Sequence, residues 1–333
     1  MTSEELLRAI GRSDSKYLQE VLDHMNGKYS QKRKRIWPRL ILVAAVVALL
    51  TVTAYAARQF FGIMDFPGNE ANPLPSQAEE MIETRTEEGT QEGVSYRLKE
   101  TLTDGGQIVF VIEVQANQPE KYFLVPEMIL DTDSLRNYGF DSDLTLPEYR
   151  EQTGLTPMHV SARIRNTEEL GIAAQSEGFW SLSNDTAELQ VYCNAASLPE
   201  GGANVECSVI ACEAGGDVED VIRGSFTFPL EYETSQWEEY TPQEPDGVEG
   251  FTFQKAEVRQ TELYTYIKVY YEEENDDDLL VFEIPGEELK EGSGGYEPNT
   301  YTMVLDRQEW EAEFTIQVRS LSRDVLGTVT FTK

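Results

Sequence analysis

The chain has 333 residues and carries 27 Lys and Arg against 60 Asp and Glu, a net charge of −33. This length predicts two or three domains with at least one sizeable core. A chain this acidic would repel the phosphates of a nucleic acid, and we therefore expect no nucleic-acid partner.

Residues 1–35 predict short cytoplasmic helices followed by basic residues. Thr2 and Glu5 form a capping-box pattern, Gly11 ends the first helix, and Ser13 to Ser15 offer caps for a second. The apolar positions along one side of these helices form the candidate partner-binding surface: Leu6, Leu7, Ile10, Tyr17, Leu18, Val21, Leu22 and Met25. Helices this short are marginal alone, so the surface is expected to contact another protein or to lie on the inner leaflet.

Residues 36–58 predict a transmembrane helix. The run from Leu40 to Ala57 is 18 residues long and carries no charge, and Ile36 and Trp37 extend it towards the ~20 residues that cross a bilayer. Orientation is set by the topology-determining basic cluster, Lys32, Arg33, Lys34, Arg35 and Arg39. The positive-inside rule then places the N-terminus in the cytoplasm and the C-terminal domains outside the cell membrane. The alternative is a signal cleaved after Ala56, but the apolar run is longer and begins later than in signal peptides.

The opening "ELLRAIGRSDSKYLQEVLDHM", the basic run and the span ending "TAYAA" carry a family resemblance. They resemble membrane-anchored, anti-sigma-factor-like proteins of Gram-positive bacteria, which have a short cytoplasmic helical motif and a β-rich ectodomain of unknown function. The resemblance implies that the cytoplasmic helices contact a sigma factor while the ectodomain senses or binds an envelope component. Many anti-sigma factors carry a zinc-binding H-x-x-x-C-x-x-C helix pair. Residues 1–39 contain His24 but no cysteine, so a sigma factor would be held by a smaller surface.

The extracytoplasmic part predicts a mainly β protein with two immunoglobulin-like β-sandwich domains. Residues 59–93 are rich in Pro, Glu and Thr and are expected to form a stalk. From residue 94 the apolar pattern has period two, and "VSYRLKETLTDGGQIVFVIEV" predicts a hairpin that turns at Asp104-Gly105-Gly106. Further alternating strands complete a first sandwich over 94–232, interrupted by a segment with a short helix near 141–155.

A second strand series follows a Pro-rich and acidic linker at 233–248 and gives a second sandwich at 249–333. In "LYTYIKVYY", the positions from Leu263 to Tyr271 alternate, which favours a core face, while an exposed tyrosine row able to grip glycan or peptide is the alternative.

The sequence offers little for catalysis or metal binding. His24 and His159 lack Cys or His neighbours, and no nucleophile, phosphate-loop or metalloprotease motif is present, so we expect no enzyme, cofactor or metal site. Acidic runs at 131–134 and 275–280 lack the spacing of a calcium loop. Cys193, Cys207 and Cys212 are expected to be small buried side chains, with one disulfide and a leftover thiol as the alternative.

These patterns predict a single-pass transmembrane signalling or regulatory protein. Its expected partners are the lipid bilayer, a cytoplasmic sigma factor and an unknown extracytoplasmic ligand. The alternative is an envelope-anchored binding or structural module with no regulatory role.

Overall fold

The computed structural model describes only part of the chain. It covers residues 61–333 except 68, 70–72, 92, 196–197, 214–221, 234, 244–247, 249, 274–279, 288, 295–298, 308–309, 311 and 321–323. The candidate partner-binding surface, the basic cluster and the expected transmembrane helix therefore lie outside the described residues. Within the described part, no helix has the length and apolar character to cross a membrane.

The described residues are mainly β, as the sequence predicts. The first ten strands are β1 (Glu83–Thr84), β2 (Glu88–Gln91), β3 (Val94–Thr103), β4 (Gln107–Ala116), β5 (Tyr122–Pro126), β6 (Thr156–Ile164), β7 (Ile172–Ser183), β8 (Thr186–Ala195), β9 (Ala203–Glu213) and β10 (Ile222–Leu230). The remaining strands are β11 (Glu238–Pro242), β12 (Phe251–Gln260), β13 (Tyr264–Glu273), β14 (Leu280–Glu283), β15 (Leu289–Gly294), β16 (Thr300–Asp306), β17 (Glu313–Ser320) and β18 (Val325–Thr332). The short helices are α1 (Ala78–Met81), α2 (Leu146–Thr153) and the 3-10 turn Leu135–Tyr138.

Strands β1 to β10 form the first sheet pair. One sheet has the order β1-β3-β4-β8-β7 with β2 beside β3, and the other has the order β10-β9-β6-β5. The predicted hairpin is confirmed, because β3 and β4 pair in antiparallel register on either side of the turn at Asp104. Inward side chains of both sheets, such as Phe110 and Val209, share one buried core.

Strands β11 to β18 form the second sheet pair, with the order β14-β17-β18-β11-β12-β13-β16-β15. Strand β11 changes partner along its length: Glu238 to Tyr240 pair with β12, and Thr241 and Pro242 pair with β18. The sheet thereby folds into two layers, whose side chains, such as Ile267 and Phe331, share a second core. On β13, Ile267 and Val269 point into this core, as the alternating pattern predicts.

The two sheet pairs pack against each other within one compact unit, Gln59–Lys333. The apolar run on β4 is continuous, so the strand buries both faces. Its outward side chains Val109 and Val111 join Tyr264 and Tyr266 of β13 in a third buried cluster. A buried apolar layer therefore lies between the first pair and the second.

Parts of the expected stalk and linker contribute to this packing. Three apolar side chains of the expected stalk, Ile63, Phe66 and Ala78, cover the outer face of the first sheet and are therefore buried. Within the expected linker, Tyr240 of β11 is buried in the second core. The short helix expected near 141–155 is confirmed as α2, which begins at a Thr145–Glu148 capping box.

Candidate functional site

The partner-binding and topology-determining residues predicted from the sequence all belong to residues 1–39, outside the described part. The structure instead brings together polar groups that the sequence analysis did not single out. They form three adjoining features on the outer face of the first sheet: a docked segment, a polar cleft and a buried junction.

The proximal segment, residues 61–66, follows the predicted transmembrane helix in the chain and is held by hydrogen bonds to its backbone. The Phe61 N–H donates to Glu188 Oε2 at 3.3 Å, and the Ile63 N–H donates to Glu100 Oε2 at 2.8 Å. The Ile63 carbonyl accepts from Asn69 Nδ2 at 2.6 Å and from Gln190 Nε2 at 3.1 Å. The first sheet thus supplies three of the four side-chain partners for a segment that is not itself a strand, and Asn69 supplies the fourth from the same stretch of chain.

Side-chain packing reinforces this docking. Ile63 is fully buried and Phe66 nearly so. The Phe61 ring meets the Trp180 ring edge-on, with centroids 6.0 Å apart. Gly62 has φ +63°, and a Cβ at this position would lie 2.8 Å from Glu100 Oε2, so the bend over the carboxylate requires glycine.

Glu188 is a fully buried carboxyl group beneath the proximal segment. Removal from water raises the pKa of Glu188 from 4.5 to about 7. The hydrogen bond from the Phe61 N–H and the positive charge of Lys99 partly oppose this rise, and the negative charge of Glu113 adds to it. Within the described part, Glu188 Oε1 has no hydrogen-bond partner. Glu188 therefore titrates near neutral pH at the point where the proximal segment is held.

A polar cleft of about 490 Å³ lies beside the proximal segment. Side-chain amides and tyrosines from the first sheet, from residue 69 and from β13 dominate its lining: Asn69, Gln175, Gln190, Tyr192, Asn194 and Tyr264. Two of these amides, Asn69 and Gln190, are the donors to the Ile63 carbonyl. The cleft and the proximal segment consequently share hydrogen-bonding groups.

A buried polar junction joins the two sheet pairs at the β3–β4 turn. Asp104 Oδ1 accepts from the backbone N–H groups of Gly106 at 2.9 Å and Gln107 at 3.0 Å. The same carboxylate accepts from the Tyr266 hydroxyl at 3.1 Å and from the Thr261 hydroxyl. One aspartate therefore fixes both its own turn and the facing strand of the second sheet pair.

Arg259 brings a buried positive charge to this junction. Its guanidinium lies 4.7 Å from the centroid of the Trp237 ring and 5.3 Å from that of Tyr266. Burial lowers the pKa of Arg259, while the charge of Asp104 opposes that change. Burial also raises the pKa of Tyr266, so its hydroxyl stays a donor to Asp104. We interpret the junction as structural, since Asp104, Thr261 and Tyr266 are buried and hydrogen-bonded to one another.

The other residues considered from the sequence have local roles. Tyr264 and Tyr266 are buried between the sheet pairs, so they do not form an exposed row. His159 Nδ1 lies 3.0 Å from the Pro126 carbonyl oxygen. Asp133, in the acidic run 131–134, accepts from the Tyr138 hydroxyl at 2.8 Å. Among the described residues, no group of three or more His, Cys, Asp and Glu side chains is placed to hold a metal ion.

The three cysteines are free thiols. The expected burial is confirmed for Cys193 and Cys207, which lie on opposite sheets of the first core, but not for Cys212, which is partly exposed. Burial raises the pKa of the Cys207 thiol, which lowers its reactivity.

Comparison with known proteins leaves the family open. No family model and no curated protein matches the chain. A solved structure described as the conserved domain protein from Bacillus anthracis matches with a TM-score of 0.44 at 12% identity, over 74% of this chain and 80% of that one. A chimeric titin Z1Z2 functionalized with a KLER exogenous peptide from decorin matches with a TM-score of 0.16 at 11% identity, over 68% of this chain and 86% of that one.

Proposed function

We propose that the protein is a single-pass membrane signalling or regulatory protein, anti-sigma-factor-like, whose ectodomain senses or binds an envelope component. In this proposal residues 1–35 are cytoplasmic and contact a sigma factor, residues 36–58 span the cell membrane, and the β-rich part is extracytoplasmic. The ectodomain acts by binding, not by catalysis, since the sequence contains no recognisable catalytic motif.

The docked proximal segment is the observation that carries this proposal. A sensor needs a mechanical connection between its binding domain and its membrane span. The chain that leaves the proposed span enters a set of four hydrogen bonds to Glu100, Glu188, Asn69 and Gln190. A change at the outer face of the first sheet would therefore act on the segment that follows the proposed span in the chain.

We also propose that both sheet pairs are immunoglobulin-like sandwiches. In the first pair, β3, β4, β8 and β7 match the order A-B-E-D, and β6, β9 and β10 match C-F-G. In the second pair, β12, β13, β16 and β15 match A-B-E-D, and β14, β17 and β18 match C-F-G. Strands β1, β2 and β5 in the first pair and β11 in the second are then additions to the seven-stranded sets. Such domains commonly bind ligands through loops or faces, which fits a recognition role.

The cytoplasmic half of the proposal is tested by co-purification of the full-length protein from membranes of its source organism. Leu18→Asp with Leu22→Asp removes two apolar side chains, each worth roughly 1.5–3 kcal/mol when buried against a partner. We expect this double variant to weaken sigma-factor binding by on the order of a hundredfold or more.

The matched control is Gln19→Asp with Asn26→Asp, which adds the same charge on the polar side of the helix and should retain the sigma factor. Recovery of a sigma factor at equal yield with both double variants would show that the apolar stripe is not the interface. Recovery of no sigma factor with the wild-type protein would contradict the regulatory role.

The alternative function, an envelope-anchored binding or structural module without a regulatory role, is favoured by the junction. The hydrogen bonds that Asp104 accepts from the Tyr266 and Thr261 hydroxyls tie the two sheet pairs together. A firm connection between the sheet pairs suits a passive module. The same co-purification experiment separates the two functions, because the passive module predicts no cytoplasmic partner.

A further inference from the structure

We propose that the polar cleft beside the proximal segment is a binding site for a neutral, hydroxyl-rich saccharide. This inference rests on the proposed function, in which the ectodomain binds an envelope component, and it names the chemical class of that component.

The hydrogen-bonding groups of the cleft suit hydroxyl ligands. Amides of Asn69, Gln175, Gln190 and Asn194 line the cleft, and Ser176 adds a hydroxyl. Each amide already makes one hydrogen bond within the protein: Asn69 and Gln190 donate to the Ile63 carbonyl, Gln175 accepts from the Ile164 N–H, and Asn194 accepts from the Tyr192 hydroxyl. An amide has two donor hydrogens and an acceptor oxygen, so one such bond does not exhaust its capacity. Saccharide hydroxyl groups also donate and accept at the same time, so amides can satisfy both roles. Apolar ligands make no comparable use of such a lining.

The charged groups at the cleft are already engaged within the protein. Lys290 Nζ lies 3.2 Å from Asp306 Oδ2, and Glu177 Oε2 accepts from the Ala162 N–H at 3.0 Å. The net charge of −33 also opposes the approach of an anion. These observations favour a neutral ligand over an anionic one.

Apolar surface in the same cleft provides for the C–H faces of a sugar ring. Leu74 and Val109 contribute aliphatic surface, and Tyr192 and Tyr264 contribute aromatic rings beside the amides. Tyr264 is held in place by the buried layer between the sheet pairs. The volume of about 490 Å³ falls within the ~300–1,000 Å³ common for ligand pockets and leaves room for a short saccharide.

A bound saccharide would also act on the proximal segment. Its hydroxyls would compete for, or add to, the hydrogen bonds that Asn69 and Gln190 make to the Ile63 carbonyl. Ligand binding would therefore change the protection of the backbone amides of residues 61–66 against hydrogen exchange. This link makes the cleft a sensing site and not only an attachment point.

The test is calorimetric titration of the full-length protein, purified in detergent, with cellotetraose, chitotetraose and an anionic oligogalacturonate of the same length. We expect at least one neutral saccharide to bind and the anionic one to bind at least tenfold more weakly. Ser176→Trp places a bulky ring at an exposed position of the cleft lining and should weaken binding at least tenfold. Tyr264→Phe, which removes only a hydroxyl and leaves the packed ring, should weaken it several-fold.

The control is Thr227→Trp, at an exposed strand position in the other sheet of the first pair, which should bind as the wild type does. The proposal is overturned if neither neutral saccharide binds at millimolar concentration, if the anionic one binds as well as they do, or if the Ser176 and Tyr264 variants both bind unchanged. Sigma-factor capture plays no part in this measurement, so failure of the saccharide site and failure of the regulatory role are distinguishable.

Discussion

Glu188→Gln should stabilise the protein above pH 7 and leave its stability nearly unchanged near pH 5. In the folded protein burial raises the pKa of Glu188 from 4.5 to about 7. Between these two pH values the folded carboxyl group holds a proton that the unfolded chain has released. Stability is therefore lost as the pH rises through this window, and glutamine, which does not ionise, escapes the loss.

The size of the effect follows from the same values. At ~1.4 kcal/mol per pH unit, a rise of the pKa from 4.5 to about 7 corresponds to about 3 kcal/mol. The free energy of unfolding of the variant, minus that of the wild type, should grow by up to this amount between pH 5 and pH 8. Glutamine keeps an oxygen that can accept from the Phe61 N–H, so the docking of the proximal segment should be retained.

The assay is urea unfolding of the full-length protein in detergent, followed by tryptophan fluorescence at several pH values. Glu120→Gln, at an exposed position, is the control and should track the wild type throughout. The reasoning is refuted if the Glu188→Gln difference stays constant from pH 5 to pH 8. That result would mean that Glu188 is already ionised, and hence solvated, in the folded protein.

Three further outcomes are expected. Asp104→Ala should lower the free energy of unfolding by about 3 kcal/mol or more, because it leaves the Tyr266 hydroxyl and two backbone N–H groups buried without their acceptor. The midpoint of urea unfolding measures this loss. An unchanged midpoint would contradict the role of Asp104 in the junction. Ile63→Ala should cost roughly 2–5 kcal/mol and speed hydrogen exchange at residues 61–66, since Ile63 is fully buried; unchanged exchange would show that the segment is not docked. Glu148→Gln should destabilise α2 at neutral pH but not at low pH, because hydrogen bonds from Thr145 lower the pKa of Glu148. The contribution of these bonds to stability is lost as the pH falls through that lowered pKa. An effect on the melting temperature that does not change with pH would argue against this.

The local strand pattern could be predicted from the sequence because its determinants are neighbours in the chain. The hairpin of β3 and β4 has alternating apolar residues on both sides of an Asp-Gly-Gly turn, and these features lie within about 20 residues. Strand β13 alternates in the same way. Its tyrosines on the second face could not be assigned to core or solvent, because only the packing of the other sheet pair decides that.

The candidate site could not be predicted, because its partners are distant in sequence and ordinary in composition. Phe61 and Glu188 are 127 positions apart, as are Ile63 and Gln190. With 60 acidic residues in the chain, nothing marks Glu100 and Glu188 as acceptors for a backbone segment. Asp104 is recognisable as a turn residue, but its bond to Tyr266 spans 162 positions. Polar groups of this kind acquire their role only when the two sheet pairs have packed.

The end of β6 has a consequence for how copies of this protein behave when they are crowded together. Strand β5 pairs with β6 only as far as Val160, so the outer edge of β6 continues beyond its neighbour. The N–H groups of Ala162 and Ile164 on this edge donate to the side chains of Glu177 and Gln175, at 3.0 Å and 2.9 Å. Side-chain oxygens thus occupy the donors that a strand from another molecule would otherwise use. Copies concentrated on one surface would therefore resist joining edge to edge into aggregates at this strand.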